Sequence, residues 1–346
     1  MIGFGDYLQL LPKTELHCHF TSTMSAGQFI QLADRYGVKL ATTDPEKLFD
    51  FEDLSDFLTA FRAAHDVLKA PEDLAEVAYA GVRLAVASGA LRYREYYLNP
   101  QYFHDRGLSY RQLLEPVLEG LRSAEADLGV GFRIVIAINR HDTPSSALEL
   151  VEQIIAHPYD EVVGLGMDDL TPEGTEDPLR FTRAYARAKQ VGLRLTAHVG
   201  ETDGASAINV RDAIDELHCD RIDHGYRVLD DPELTRRARD SGIPFTTTPF
   251  STTICSGWTL GPEHRIARMI REGLAVTVST DDAMFFRTDV GREYREALPL
   301  LGVDAEGAKR IALAGIDAAF CDDDTKATLR RQFAAEILTL DSLLTT

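Results

Sequence analysis

The chain has 346 residues, 45% of them hydrophobic and 26% charged, a balance that supports a large core and argues against extensive disorder. Its formal net charge of -19 opposes nucleic acid as a partner, because such binding rests on Lys and Arg neutralising phosphates. No apolar run reaches membrane-spanning length and no basic-then-apolar leader follows Met1, so the expectation is a cytoplasmic protein with no membrane partner.

Along the chain, short apolar and β-branched runs alternate with longer stretches of helical period, the pattern of parallel strands joined by crossover helices. Eight runs are read as strands, at 14–20, 91–98, 132–138, 162–167, 193–199, 221–224, 244–248 and 275–280. The first is followed by a long segment, 22–71, that holds more than one helix and is read as a cap over one end of the fold. Within the cap Phe51, Leu54, Phe57, Leu58 and Phe61 recur at helical spacing, as either an apolar lid over a planar ligand or ordinary packing. Helices are expected at 74–88, 110–128, 147–156, 180–191, 207–217, 232–241 and 265–272. Gly192, Gly242 and Gly273 each stand just past one of them, where a left-handed residue ends a helix. From Leu300 onward the chain reads as terminal helices. The fold class expected is α/β, a single (β/α)8 TIM-type barrel domain over 1–346 with that cap and C-terminal helices.

The polar clusters fall at strand ends, where such barrels keep their active sites. Leu16-His17-Cys18-His19-Phe20 closes the first strand, and alternation points both imidazoles to one face with Cys18 on the other. His198-Val199-Gly200-Glu201 follows the fifth run, Asp223-His224 ends the sixth, and Asp281-Asp282 follows the eighth. His17, His19, His198 and Asp281 can supply three nitrogens and one oxygen to one divalent ion. Zinc suits that set best, while iron and cobalt tolerate it. Gly166-Met167-Asp168-Asp169 offers no Lys to bridge a second ion, so one Zn2+ per chain is expected. His224 can take a proton from an activated water, Glu201 can donate one to an aromatic nitrogen, and Asp282 can hydrogen-bond a second ring nitrogen. Cys18, Cys219, Cys255 and Cys321 contain no C-x-x-C and read as free thiols.

With these residues placed, the chain resembles the adenosine and adenine deaminase family nearly end to end. The resemblance rests on Pro12-Lys13-Thr14-Glu15-Leu16-His17-Cys18-His19, Thr196-Ala197-His198-Val199-Gly200-Glu201, Arg221-Ile222-Asp223-His224-Gly225 and Ser279-Thr280-Asp281-Asp282. It implies a mononuclear zinc enzyme that replaces a purine 6-amino group with oxygen and releases ammonia. By the resemblance, His17, His19, His198 and Asp281 bind zinc, Glu201 serves N1, His224 orients the hydroxide and Asp282 holds N7. The partners implied are a small purine-type substrate and water, and a homo-oligomer is allowed.

Several positions depart from the family pattern, the seventh strand's loop at 246–253 among them. Thr21 and Ser22 stand where an acidic residue and Gly usually follow the His-x-His pair, and Asp169 replaces a small residue. A Thr offers no charged acceptor to a sugar hydroxyl, so a shifted substrate is expected. The candidate substrate contacts are Thr21, Asp169, Gly200, Asp282, Phe57 and Phe61. Trp258, and the Arg92, Arg94 and Glu95 group, can either reach a substrate or serve the structure. The competing readings are a metal-dependent amide or ester hydrolase on the same barrel, and a non-catalytic relative.

Overall fold

The computed structural model describes residues 1–51, 54–104, 106–202 and 204–344, and the side chains of residues 54, 55 and 63 lie outside the description. Residues 52 and 53 of the expected cap, the Leu54 side chain of its apolar stripe, and residues 345 and 346 therefore carry no structural statement.

Nine strands are present among the described residues: β1 (Lys13–His19), β2 (Leu91–Leu98), β3 (Gly131–Asn139), β4 (Val162–Asp168), β5 (Arg194–Leu195), β6 (His198–Val199), β7 (Ile222–His224), β8 (Pro244–Thr247) and β9 (Ala275–Val278). All pair in parallel, in the order β1-β2-β3-β4-β5 and β6-β7-β8-β9. β5 and β6 are two pieces of the single run expected at 193–199. Between them Thr196 donates its N–H to Leu165, and the Ala197 carbonyl accepts from Asp223, so the two sheets are stitched together at this point. The ring closes on its other side through a parallel bridge between Cys18 and Asp281, where His19 N–H reaches the Asp281 carbonyl and Asp281 N–H the His17 carbonyl. The architecture is the expected (β/α)8 barrel.

Helix positions follow from local signals. Ser109 and Gln112 form a capping box that starts Tyr110–Leu128, and Gly129 ends it with φ of 69°. Gly192, Gly242 and Gly273 all take positive φ, as expected of residues that end helices before a strand. Thr143 caps Pro144–Ala156, with Pro at its first turn, so this helix begins three residues before the apolar periodicity does. Two helices, Ala305–Ala318 and Asp323–Leu343, complete the C-terminal end. No helix among the described residues is long and apolar enough to cross a membrane.

The barrel interior is partly ionic. Arg221 pairs with Glu95 at 2.6 Å and its guanidinium lies over the Phe320 ring, and Arg94 pairs with Glu15, both pairs buried; Arg92 pairs with Glu336 at 2.9 Å in a half-buried position nearer the surface. Of the two readings open for Arg92, Arg94 and Glu95, the structure favours the ion-pair network. Breaking such a buried pair leaves an uncompensated charge, which costs several kcal/mol, so these groups are committed to the scaffold. Trp258 is half-buried between Tyr226 and His264, with Arg227 and Arg265 over its ring, and it packs there rather than lining the cleft described below.

Candidate active site

The histidines of β1 arrive at the barrel rim side by side because their alternation skips Cys18, whose thiol is buried on the other face. His17 Nδ1 lies 3.0 Å from Thr246 Oγ1, which itself donates to Asp223 Oδ1 at 2.8 Å. The Thr246 oxygen therefore accepts from His17 Nδ1–H, and the lone pair of His17 sits on Nε2. His19 Nδ1 faces Asp168 Oδ2 at 3.4 Å, and His198 Nδ1 faces Asp223 Oδ2 at 3.3 Å. In each ring the outer nitrogen lies beside an oxygen, as a hydrogen bond for His17 and as a looser carboxylate contact for His19 and His198. Outer-shell acceptors of this kind set the tautomer a metal-binding imidazole needs.

At the centre, His19 Nε2 lies 3.2 Å from His198 Nε2 and 3.2 Å from Asp281 Oδ1, while His17 Nε2 lies 3.1 Å from the same oxygen. Zinc bonds of about 2.0–2.2 Å in tetrahedral geometry put neighbouring ligand atoms roughly 3.3–3.6 Å apart, and a crowded five-coordinate site brings some closer. His17 Nε2 has no hydrogen-bond partner although it is fully buried. Buried polar atoms are rarely left so, and His17, His198, His224 and Asp281 together form a buried group that could hold a metal ion. Asp281 takes φ of 64°, a conformation unusual for Asp that turns its carboxylate inward, and Ser251 Oγ donates to its second oxygen at 2.7 Å.

The field at the site favours positive charge. Burial lowers the affinity of His19 for a proton, but Asp282, Asp281 and Asp168 outweigh it and lift its pKa to about 10. Burial, helped by His17, pushes His198 down to about 3, so its imidazole is neutral and free to ligate. Asp223 stays well below the carboxylate range despite its burial, held there by His198, His17 and Arg221.

Around this centre stand the other expected residues. His224, also at positive φ, puts Nε2 3.6 Å from Glu201 Oε2, while its Nδ1 lies within reach of the Thr248 and Tyr226 hydroxyls. Burial holds His224 well below its ordinary value, in the neutral form. Burial, then the nearby Asp281 and Glu176 carboxylates, raise Glu201 well above its ordinary value, which favours its protonated form. Ser22 donates to Asp282 Oδ1, which gives this departure from the family pattern a partner. A narrow cleft of about 40 Å³ collects His19, His198, His224, Glu201, Asp281 and Asp282, with Phe57, Leu58, Phe61, Tyr102, Asp168 and Asp169 as its remaining walls. Roomier clefts exist, one of about 660 Å³ beside Cys18 and Arg94, but they lack this assembly of imidazoles and carboxylates.

Three candidate substrate contacts are used in another way. Thr21 is buried and bonded to His65 Nε2 at 3.0 Å, and it does not line the cleft. Gly200 does not line it either. Its φ of 69° and a neighbouring Val210 methyl, 2.7 Å from where a Cβ would be, require glycine for the turn that presents Glu201. Asp169 lines the cleft, but its oxygens are occupied by Arg62, Tyr102 and the Leu170 N–H.

Residues that sequence reasoning left without a role also serve the site. Asp223 and Thr246 orient His198 and His17, Asp168 faces His19, and Asn99 fixes Asp168 with 2.7 and 2.9 Å bonds. Glu176 receives the N–H groups of Gly200, Glu201 and Thr202. Asp223 had a visible signal, since it alternates with His224 on one strand. Glu176 lies in a loop with none.

The model for the adenosine deaminase family matches residues 12–336. The chain belongs to that family. An adenine deaminase from Rhodopseudomonas palustris is 32% identical to it over 336 residues, covering 96% of each chain. A zinc-bound amidohydrolase structure from Burkholderia ambifaria superposes with a TM-score of 0.88 at 32% identity, covering 98% of this chain and 94% of that one. The structure of adenine deaminase from Arthrobacter aurescens does so with a TM-score of 0.87 at 30% identity, covering 96% and 99%.

Proposed function

We propose that this family member hydrolytically deaminates an adenine-type 6-aminopurine, with one zinc ion held by His17, His19, His198 and Asp281. The observation that carries this reading is the cluster at the rim, where His17 and His19 Nε2 lie 3.1 and 3.2 Å from Asp281 Oδ1 and His198 Nε2 lies 3.2 Å from that of His19, beside a Glu201 carboxyl whose hold on its proton is raised by burial. When bound, the ion supplies the acidity that makes water a nucleophile near neutral pH.

The chain's own residues then divide the proton work. Neutral His224 accepts a proton from the attacking water, and its Nδ1 neighbours Thr248 and Tyr226 hold the ring in place. Glu201 donates to a ring nitrogen, which makes the adjacent carbon electrophilic, and well-placed general acids of this kind contribute about 10²–10⁴ in rate. Asp282, steadied by Ser22, hydrogen-bonds a second ring nitrogen and fixes the purine plane. Phe57 and Phe61 cover that plane from the cap side and exclude water. A plain amide or ester hydrolase has no aromatic nitrogen for Glu201 to protonate, so nothing at the site favours that reading.

The test is an ammonia-release screen with zinc-loaded enzyme across adenine, adenosine, deoxyadenosine, adenine nucleotides and 6-amino pterins. Turnover of at least one adenine compound with near-stoichiometric zinc supports the assignment. A metal-replete enzyme inactive on all of them rules it out.

A further inference from the structure

Two of the departures from the family pattern, Thr21 and Asp169, are both held by one short stretch of the cap. Helix Leu54–Ala64 presents Phe57, Leu58 and Phe61 to the cleft, and one turn after Leu58 its Arg62 grips Asp169 with two bonds, Nε to Oδ2 at 3.0 Å and a terminal nitrogen to Oδ1 at 2.6 Å. Tyr102 adds a third bond to Asp169 at 2.8 Å, and Asp169 sits at φ of 63°, a left-handed conformation uncommon outside glycine. Three residues on from Arg62, His65 gives its Nδ1–H to the Phe61 carbonyl at 2.9 Å, which leaves Nε2 to accept from Thr21 Oγ1. Arg106 then ties the same stretch from behind, through the Asp66 carboxylate and the Arg62 carbonyl.

The consequence lies in where a substrate must point. Phe57, Phe61, Tyr102 and Asp169 wall the same cleft as the His and Asp cluster, so a purine with its reacting carbon at that cluster has these walls around the rest of it. The Phe61 ring meets His19 edge to face with centroids 5.6 Å apart, so the cap is packed directly against the centre. A sugar on the far edge has to displace the cap wall. Of the ties on this stretch, the Arg62–Asp169 pair is the one at the cleft itself, and the Arg62 side chain is 38% exposed.

We infer that the Arg62–Asp169 pair is a specificity latch: closed, it confines turnover to the unsubstituted base, and its release admits N9-substituted 6-aminopurines. This rests on the aminopurine reading above. Arg62 is a positioning residue that touches no reacting atom and acts through the wall it holds.

The experiment compares kcat/KM for adenosine with kcat/KM for adenine in the zinc-loaded parent, Arg62→Ala, Arg62→Gln and Arg62→Lys. The ratio rises by about tenfold or more in the Ala and Gln variants, mainly through a lower KM for adenosine, and Lys restores part of the parent preference. A merely structural role would lower both substrates together and leave the ratio alone. The Gln variant, shorter and uncharged but still carrying an amide donor, carries the comparison if the Ala variant does not fold. An unchanged ratio in variants that retain zinc and adenine turnover overturns the latch, as does a parent that already prefers adenosine. A zinc-loaded parent that releases ammonia from no aminopurine removes the aminopurine reading itself, and the latch with it.

Discussion

The Nε2 atoms of His19 and His198 lie 3.2 Å apart, and each ring has its other nitrogen turned to a carboxylate. Two imidazole lone pairs do not rest at that distance without positive charge between or beside them. A proton on His19 meets the need in the bare protein, and a divalent ion meets it with Asp281 as well. His198→Ala is therefore expected to bind less than a tenth of the parent's zinc, measured by elemental analysis after dialysis. Chelation of the parent should lower its Tm, since an ion bound to the folded state alone stabilises it by several kcal/mol. Parent protein that purifies without metal and takes none up would contradict the arrangement.

Glu201→Gln keeps the shape of the side chain and removes the transferable proton. The expected result is full zinc content with kcat reduced by about 10²–10⁴ and little change in KM. Turnover equal to the parent's would remove Glu201 from the proton path.

Asp223 touches the metal set only through its neighbours, accepting from Thr246, Thr196 and Tyr97 while facing His198 Nδ1. Asp223→Asn leaves every ligand in place but weakens the acceptor that orients His198. Zinc affinity, from competition with a chelator of known strength, should fall by about 10–100-fold. Unaltered affinity would show that the Asp223 carboxylate does not tune the site.

His65 gives the cap a pH dependence of its own. Burial, opposed in part by the Phe61 carbonyl, depresses its pKa to about 3, so the folded chain keeps it neutral while the unfolded chain protonates it below about 6.5. Its contribution is complete above that value and is lost as pH falls toward about 3, amounting to about 2 kcal/mol by about pH 5. Denaturant titrations at about pH 7.5 and about pH 5 should show a smaller acid loss for His65→Gln than for the parent. Equal losses would mean that His65 is not held neutral.

Much of the chemistry was legible in the chain because it depends on periodicity. Alternation by itself puts His17 and His19 on one face, and the rule that barrel chemistry gathers at strand ends groups them with His198, Glu201, His224 and Asp281. The substrate wall was not legible in this way. Thr21, read as a weakened sugar contact, turns to His65, and Asp169, read as an altered purine edge, is taken by Arg62. Their partners lie 44 and 107 positions away along the chain, beyond any local pattern.

The amino-acid sequence alone determined the strand-and-helix alternation, the barrel, and the set of residues able to hold an ion and move protons, since these follow from spacing along one strand or helix. Tertiary structure decided which nitrogen of each imidazole faces inward, that Asp223 and Thr246 orient the ligands, and that the cap is fastened through two of the unusual positions. The physical reason is that hydrogen-bond direction and wall position depend on groups brought together only by closure of the barrel, where the parallel bridge between Cys18 and Asp281 joins the first strand to the last.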